Sequence, residues 1–313
     1  MNRAFVFPGQ GSQAVGMGAE LAGAFTAARE VFEEVDDVLS QRLSKLMFEG
    51  PEDELTLTEN AQPAIMTTSL AVVRVLNCEG GIRLAEKASL VAGHSLGEYS
   101  ALAAIGALSL ADTARLVKRR GQAMQEAVPV GEGAMAALIG LDLAVVAEVA
   151  QEAAQGEICT PANDNAPGQV VISGHKTAVE RAVEVAQERG AKRAIMLPVS
   201  APFHCALMAP AADVMAEALA EVTVLPPRLP VVANVTARAT EDPDEIRSLL
   251  VQQVTGLVRW RECVLTMRES GVEALVELGA GKILSGLTRR IDREISAQNA
   301  GTPEQIEAMI KTL

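Results

Sequence analysis

Short apolar runs alternate with amphipathic stretches along most of this chain. Ala4-Phe5-Val6-Phe7 reads as a buried strand that breaks at Pro8-Gly9. Helical periodicity follows over 18–38 and 43–48, and again over 61–76, with Pro63 in the first turn, where proline is tolerated. Residues 89–92 form a second apolar strand. A helical, alanine-rich run covers 101–108. A further helix spans 112–127, with Asp112 as its cap and Pro129 and Gly131 past its end. From residue 128 the pattern changes. Strand 134–141, helix 143–154 capped by Asp142, and strands 157–161 and 169–173 follow one another. Thr177-Ala178-Val179-Glu180 reads as a capping box opening a helix that Gly190 stops, and strand 194–197 closes the series. Beyond it come helix 208–221, strand 230–235, helices 243–254 and 264–270, and strand 274–278. A helix from Gly279-Ala280-Gly281-Lys282 to 289 is next, and the last dozen residues read as a solvated terminus.

The series between 128 and 197 has the order β-α-β-β-α-β, the pattern of a ferredoxin-like unit. The expected organisation is therefore α/β, with a short parallel sheet. A large domain is built from 1–127 and 198–313, and a small α+β domain, 128–197, is inserted in it. At 313 residues, with 49% hydrophobic and 21% charged residues, the chain can bury a sizeable core. A net charge of −13 argues against general nucleic-acid binding, though it leaves room for a local basic patch. The N-terminal apolar run is too short for a signal peptide, and no stretch reaches the ~20 apolar residues of a membrane span. Cys78, Cys159, Cys205 and Cys263 form no C-x-x-C pair, which suits a reducing compartment. A soluble, cytoplasmic, monomeric protein is expected. Cys205, beside His204, reads as a small packing residue rather than a nucleophile.

The chemistry concentrates in Gly93-His94-Ser95-Leu96-Gly97-Glu98-Tyr99-Ser100. Strand signals precede this G-x-S-x-G and helix signals follow it, which is the context a strained nucleophile turn requires. The turn lifts a serine hydroxyl clear of the backbone and aims helix N–H groups at the atom it attacks. The alternative is a glycine-rich turn whose serine merely caps the helix. A serine nucleophile needs a base, and the chain has three histidines. His94 diverges from its neighbour, and His175 sits at an exposed turn of the small unit. His204, in the loop where the chain re-enters the large domain, is the best placed. Asp112, Asp142 and Asp164 are available as orienting acids, but none lies in a recognisable motif. A backbone carbonyl could hold the imidazole instead. The Gly-x-Gly-Lys run near the C-terminus lacks phosphate-loop spacing.

Further segments give the chain a resemblance. They are Phe7-Pro8-Gly9-Gln10-Gly11-Ser12-Gln13, Gln62-Pro63, Arg120-Gly121, Asn165-Ala166-Pro167-Gly168-Gln169, Ala201-Pro202-Phe203-His204 and Gly279-Ala280-Gly281-Lys282. With the serine motif, they run end to end in the order of the malonyl-CoA:acyl carrier protein transacylases, and the chain resembles that family. The resemblance implies a hydrolase-like core with a ferredoxin-like insert, and ping-pong malonyl transfer in fatty-acid biosynthesis. The malonyl group passes from malonyl-CoA to the carrier's phosphopantetheine thiol, with no metal and no bound cofactor. It implies Ser95 as nucleophile, His204 as base, and Gln10 and Leu96 N–H groups as oxyanion hole. Arg120 would bind the malonyl carboxylate. Gln253, or its neighbour Gln252, would offer a carbonyl to the base; here Thr255-Gly256-Leu257-Val258 replaces an Asn-Pro step common in the family. Gln62, His94 and Asn165 would line the pocket. Phe203 resembles the malonyl-selective form of its loop, where methylmalonyl-accepting relatives carry a smaller residue. Lys282, Arg289, Arg290, Lys192 and Arg193 are candidates for docking an acidic carrier protein. A thioesterase or esterase on the same core, a malonyl loader for a polyketide carrier, and a non-catalytic docking domain are the competing readings.

Overall fold

A computed structural model describes residues 2–199 and 201–313; Met1, and Ser200 in the predicted 198–204 loop, lie outside the described residues. The strands in chain order are β1 (Arg3–Phe7), β2 (Leu90–Gly93), β3 (Gly133–Ile139), β4 (Cys159–Ala166), β5 (Gln169–His175), β6 (Arg193–Met196), β7 (Val231–Val232), β8 (Ala239–Thr240), β9 (Ala274–Leu278) and β10 (Ser296–Ala300). Two sheets result. One has the order β10-β9-β1-β2-β7-β8 and is parallel except for the β7–β8 pair. The other, β4-β5-β3-β6, is antiparallel throughout.

The parallel sheet carries helices on its faces, so its central strands are buried on both sides and read as unbroken apolar runs. In the β1–β2 register Phe7 pairs with Gly93. The two strands therefore end side by side, and the loops after them, with Gln10 on one and Ser95 on the other, leave the sheet at one edge. Helix Thr58–Gly80 packs against helix Leu110–Glu126. Gly121 permits the approach: a Cβ there would lie 2.6 Å from the Thr58 carbonyl oxygen. This close crossing turns Arg120 inward.

The antiparallel sheet belongs to the segment expected as an insert. Its order is β3, helix Leu143–Ala154, β4, β5, helix Lys176–Glu188, β6. It has its own small core, with Leu138, Val146, Val149, Val170, Ile172 and Val179 packed together. It is laced to the rest of the chain: Asp164 N–H donates to the Val258 carbonyl, and Val258 N–H to the Ala162 carbonyl, both at 2.9 Å. No helix among the described residues is long and apolar enough to cross a membrane.

Several local expectations are corrected. Helix Thr58–Gly80 begins a turn earlier than periodicity suggested, so Pro63 lies within it rather than in its first turn. Ser109, not Asp112, caps helix Leu110–Glu126, its Oγ accepting from Asp112 N–H. Thr177 makes no capping box; it falls inside helix Lys176–Glu188 and donates to Glu157. Strand 157–161 runs on to Ala166, which places Asn165 on β4. Strand 230–235 shrinks to the two residues of β7, because Asn234 is drawn into side-chain bonding. The C-terminus is not a solvated tail. β10 extends the parallel sheet, and helix Pro303–Ile310, opened by a capping box at Thr302 and Gln305, buries Ile306 and Met309. The polar composition of Ser296-Ala297-Gln298-Asn299 hid an edge strand, which needs only one apolar face. Ile306→Ala should therefore destabilise the protein by about 2–5 kcal/mol in chemical denaturation, where a solvated tail would show no change.

Candidate active site

The serine turn is built by exclusion. A Cβ on Gly93 would sit 1.9 Å from the Gly97 carbonyl carbon, and one on Gly97 would sit 2.2 Å from the Phe7 carbonyl oxygen. Across the cleft, a Cβ on Gly9 would sit 2.5 Å from the His94 oxygen. Only glycine allows β2, the turn and the β1 loop to pack this closely. Ser95 itself is held at φ 53°, a left-handed conformation that costs about 1–3 kcal/mol and persists only where the surroundings enforce it. Helix Gly97–Ala104 starts immediately afterwards. The backbone N–H groups of Gln10 and Leu96 donate to no acceptor among the described residues, so both are free to bind an oxyanion.

Two side chains from distant parts of the sequence meet at the Ser95 hydroxyl. His204 Nε2 is 2.8 Å from Ser95 Oγ, and its Nδ1 is 2.8 Å from the backbone carbonyl of Gln253. With Nδ1–H donating to that carbonyl, Nε2 is left to accept the serine proton. His204 lies on the loop before helix Ala209–Glu221, at φ 59°. None of the candidate acids orients it: Asp112 belongs to the Ser109 cap and Asp164 pairs with Arg261 at 2.8 Å. The orienting oxygen is that of Gln253; Gln252 instead bonds Ser248 on the surface.

Arg120 is buried, 1% exposed, and donates from Nη2 to Ser95 Oγ at 3.1 Å. Two side-chain amides hold the guanidinium: Gln62 Oε1 accepts from Nη1 at 2.8 Å, and Gln253 Oε1 from Nη2 at 3.0 Å. Its charge centre lies 5.8 Å from the centroid of the Tyr99 ring. No carboxylate lies within ion-pair distance of it among the described residues. Burial strips water from the cation and pulls its pKa below the ordinary arginine value. Burial, reinforced by the nearby Arg120 charge, holds His204 down at about 3. The imidazole is thus neutral and able to accept a proton at neutral pH.

His94 Nε2 pairs with Asn165 Oδ1 at 2.8 Å, and the His94 ring lies 5.6 Å from that of Trp260. Gln10 Nε2 reaches Thr58 Oγ1 at 3.4 Å. Phe203 is buried in the large apolar core beside the base. His175 is remote from the serine; its Nδ1 accepts from Ile158 N–H in the small unit. A separate half-open cavity of about 280 Å³, lined by Val31, Leu70 and Ile82 among others, includes none of these residues.

Two residues escaped sequence reasoning. Asn234 accepts from Ser95 N–H at 2.7 Å and donates to the Gly93 carbonyl at 2.7 Å, clamping both sides of the turn. Glu98, 2% exposed, accepts from Asn234 N–H and from Gln253 Nε2, each at 2.9 Å. Burial raises its pKa to about 7. A signal existed for Glu98: it is a lone charge at the head of a charge-free alanine-rich run. None existed for Asn234.

The depressed His204 pKa carries a stability consequence. Between about pH 6.5 and 3 the unfolded chain binds a proton at His204 that the folded chain refuses, so this group's contribution to stability is lost as pH falls. Relative to His204→Gln, the wild type should lose about 1.4 kcal/mol per pH unit across that window in denaturant titrations. Parallel curves would mean that the imidazole is solvated.

Comparison with known proteins shows the family. The profile of the acyl transferase domain matches residues 4–308. The Malonyl CoA-acyl carrier protein transacylase of Escherichia coli K12 is 49% identical over 308 residues, covering 98% of each chain. The crystal structure of an acyl-carrier-protein-S-malonyltransferase from Bartonella henselae superposes with a TM-score of 0.97 at 57% identity, over 100% of this chain and 99% of that one. A malonyl-transacylase solved in complex with a type II PKS acyl-carrier protein gives 0.96 at 46% identity, over 100% of both chains. These matches, over essentially the full length, place the chain in the acyl transferase family, among the malonyl CoA–acyl carrier protein transacylases.

Proposed function

We propose that this enzyme moves a malonyl group from malonyl-CoA to the phosphopantetheine thiol of acyl carrier protein through a malonyl-Ser95 intermediate, in fatty-acid synthesis. The observation that carries the reading is the meeting of two groups on one oxygen: Ser95 Oγ lies 2.8 Å from the His204 base and 3.1 Å from the Arg120 cation. A three-carbon diacid esterified at that oxygen can place its far carboxylate on the guanidinium without moving the serine.

The steps follow from the positions. Ser95 Oγ gives its proton to His204 Nε2 and attacks the thioester carbonyl carbon. The resulting oxyanion sits on the N–H groups of Gln10 and Leu96, each such donor being worth ~10²–10³ in rate. The carbon–sulfur bond breaks, and the CoA sulfur leaves with the proton from His204. The carrier's thiol then enters, passes its proton to His204, and attacks the serine ester. Ser95 recovers its proton as the malonyl thioester departs. Two half-reactions through one acyl-serine make a ping-pong sequence.

Arg120 selects the acyl group. Its guanidinium is desolvated and, among the described residues, makes no direct ion pair, so a malonyl carboxylate satisfies it and an acetyl group leaves it unpaired. Gln62 orients it, and His94 with Asn165 forms the neighbouring wall. Phe203 next to the base favours malonyl over the bulkier methylmalonyl. The architecture we assign is a hydrolase-like core, 1–127 and 198–313, with a ferredoxin-like insert at 128–197; the antiparallel order β4-β5-β3-β6 supports the insert. Carrier docking falls to exposed cations near the insert, Lys192, Arg193, Lys282, Arg289 and Arg290, with Arg290 tied to Gln169 at 2.9 Å. We assign a monomer in the cytoplasm, and the four free cysteines suit that compartment. The solved relative bound to a type II PKS carrier favours one second reading, a loader for polyketide carriers. Parallel assays with the two kinds of carrier separate them.

Ser95→Ala should abolish the malonyl adduct seen by intact-protein mass spectrometry after mixing with malonyl-CoA. A persistent adduct would place the nucleophile elsewhere. Arg120→Ala should cut kcat/KM for malonyl transfer by about 10³ or more while sparing acetyl transfer. Equal loss for both acyl groups would refute the carboxylate role. CoA release that ignores added carrier protein would turn the reading to a thioesterase.

A further inference from the structure

We infer that Glu98 is a positioning residue for acyl selection: through the side chain of Gln253, it holds the Arg120 guanidinium in the orientation that receives the substrate carboxylate. This rests on the role assigned to Arg120. Gln253 contributes twice to the site. Its backbone carbonyl orients His204, and its side-chain amide stands between a cation and an anion. Oε1 accepts from Arg120 Nη2 at 3.0 Å, while Nε2 donates to Glu98 Oε2 at 2.9 Å. The Ser95 carbonyl at 3.1 Å and Asn234 Oδ1 at 3.3 Å share the same Nε2.

A primary amide can flip by half a turn at little intrinsic cost, exchanging its donor and acceptor ends. Flipped here, Gln253 would aim its NH₂ at a guanidinium and its oxygen at the Ser95 carbonyl and Asn234 Oδ1, repulsions inside a buried site that also forfeit the bond to Glu98 Oε2. Glu98 Oε2 makes the shortest of the three contacts to Nε2, so it does most to set which end faces Arg120. The other amide on the guanidinium, Gln62, has no such anchor among the described residues, where its Nε2 reaches the Met124 sulfur at 3.6 Å. Control of the Nη2 end therefore runs through Gln253 to Glu98. The same Glu98 oxygen receives Asn234 N–H, the residue that clamps the serine turn. One buried carboxylate thereby ties the reacting serine to the selecting arginine without contacting substrate.

The test is the ratio of kcat/KM for malonyl-CoA to that for acetyl-CoA in purified full-length enzyme. Glu98→Met keeps the chain length and removes the acceptor. Glu98→Gln keeps a carbonyl oxygen in reach of Asn234 N–H and Gln253 Nε2 and removes only the charge. Glu98→Met should lower the ratio about tenfold or more while retaining acetyl-serine formation, and Glu98→Gln should restore it to within about threefold of wild type. Thermal unfolding checks that each variant is folded. Should Glu98→Met not fold, Glu98→Asp withdraws the oxygen by one methylene at constant charge and must likewise lower the ratio. An unchanged ratio in the acceptor-withdrawing variant, or parallel loss of both acyl groups in a folded one, overturns the inference. Arg120→Ala run alongside separates the two assignments. If its ratio does not fall, the arginine reading fails; if its ratio falls and that of the Glu98 variant does not, only the present inference fails.

Discussion

A guanidinium buried without a carboxylate is the constraint around which this site is arranged. Removing a cation from water is costly unless an anion meets it, and among the described residues Arg120 directly contacts amide oxygens, a hydroxyl and the Tyr99 ring, with Glu98 acting on it from beyond Gln253. In the proposed function the far carboxylate of the acyl group would complete the arrangement, making selection and charge balance one event. Burial, and after it the Arg120 charge, hold the His204 pKa down and keep the imidazole neutral at rest.

Gln253 and Asn234 show how neutral groups distribute that charge. The Gln253 backbone serves His204 and its side chain serves Arg120, so base and selector move together. Asn234 spans the serine turn from Ser95 N–H to the Gly93 carbonyl, which helps maintain Ser95 in its left-handed conformation. The ionisable residue behind both, Glu98, has its pKa raised to about 7 by burial.

Much of this was legible in one dimension. Apolar runs located β1, β2 and β9, because strands buried on both faces leave a continuous signal. The turn at Ser95 was legible because backbone collisions at Gly93 and Gly97 admit no other residue. The polar edge strand β10 and the helix Pro303–Ile310 were not, since their single buried face is thin in a polar sequence. The cap of helix Leu110–Glu126 lies three residues before the one expected because Ser109 Oγ accepts from Asp112 N–H while donating to the Asp112 carboxylate.

Local chemistry by itself determined the nucleophile turn, the alternation of helices and strands, and the family, since each is written in contiguous residues. Only the tertiary structure decided which oxygen orients His204, that Arg120 is buried rather than solvated beside Lys118 and Arg119, and that Glu98 and Asn234 belong to the site. Those facts depend on groups tens to well over a hundred positions apart. Hydrogen bonds and desolvation act over a few ångströms of space, whatever the distance along the chain.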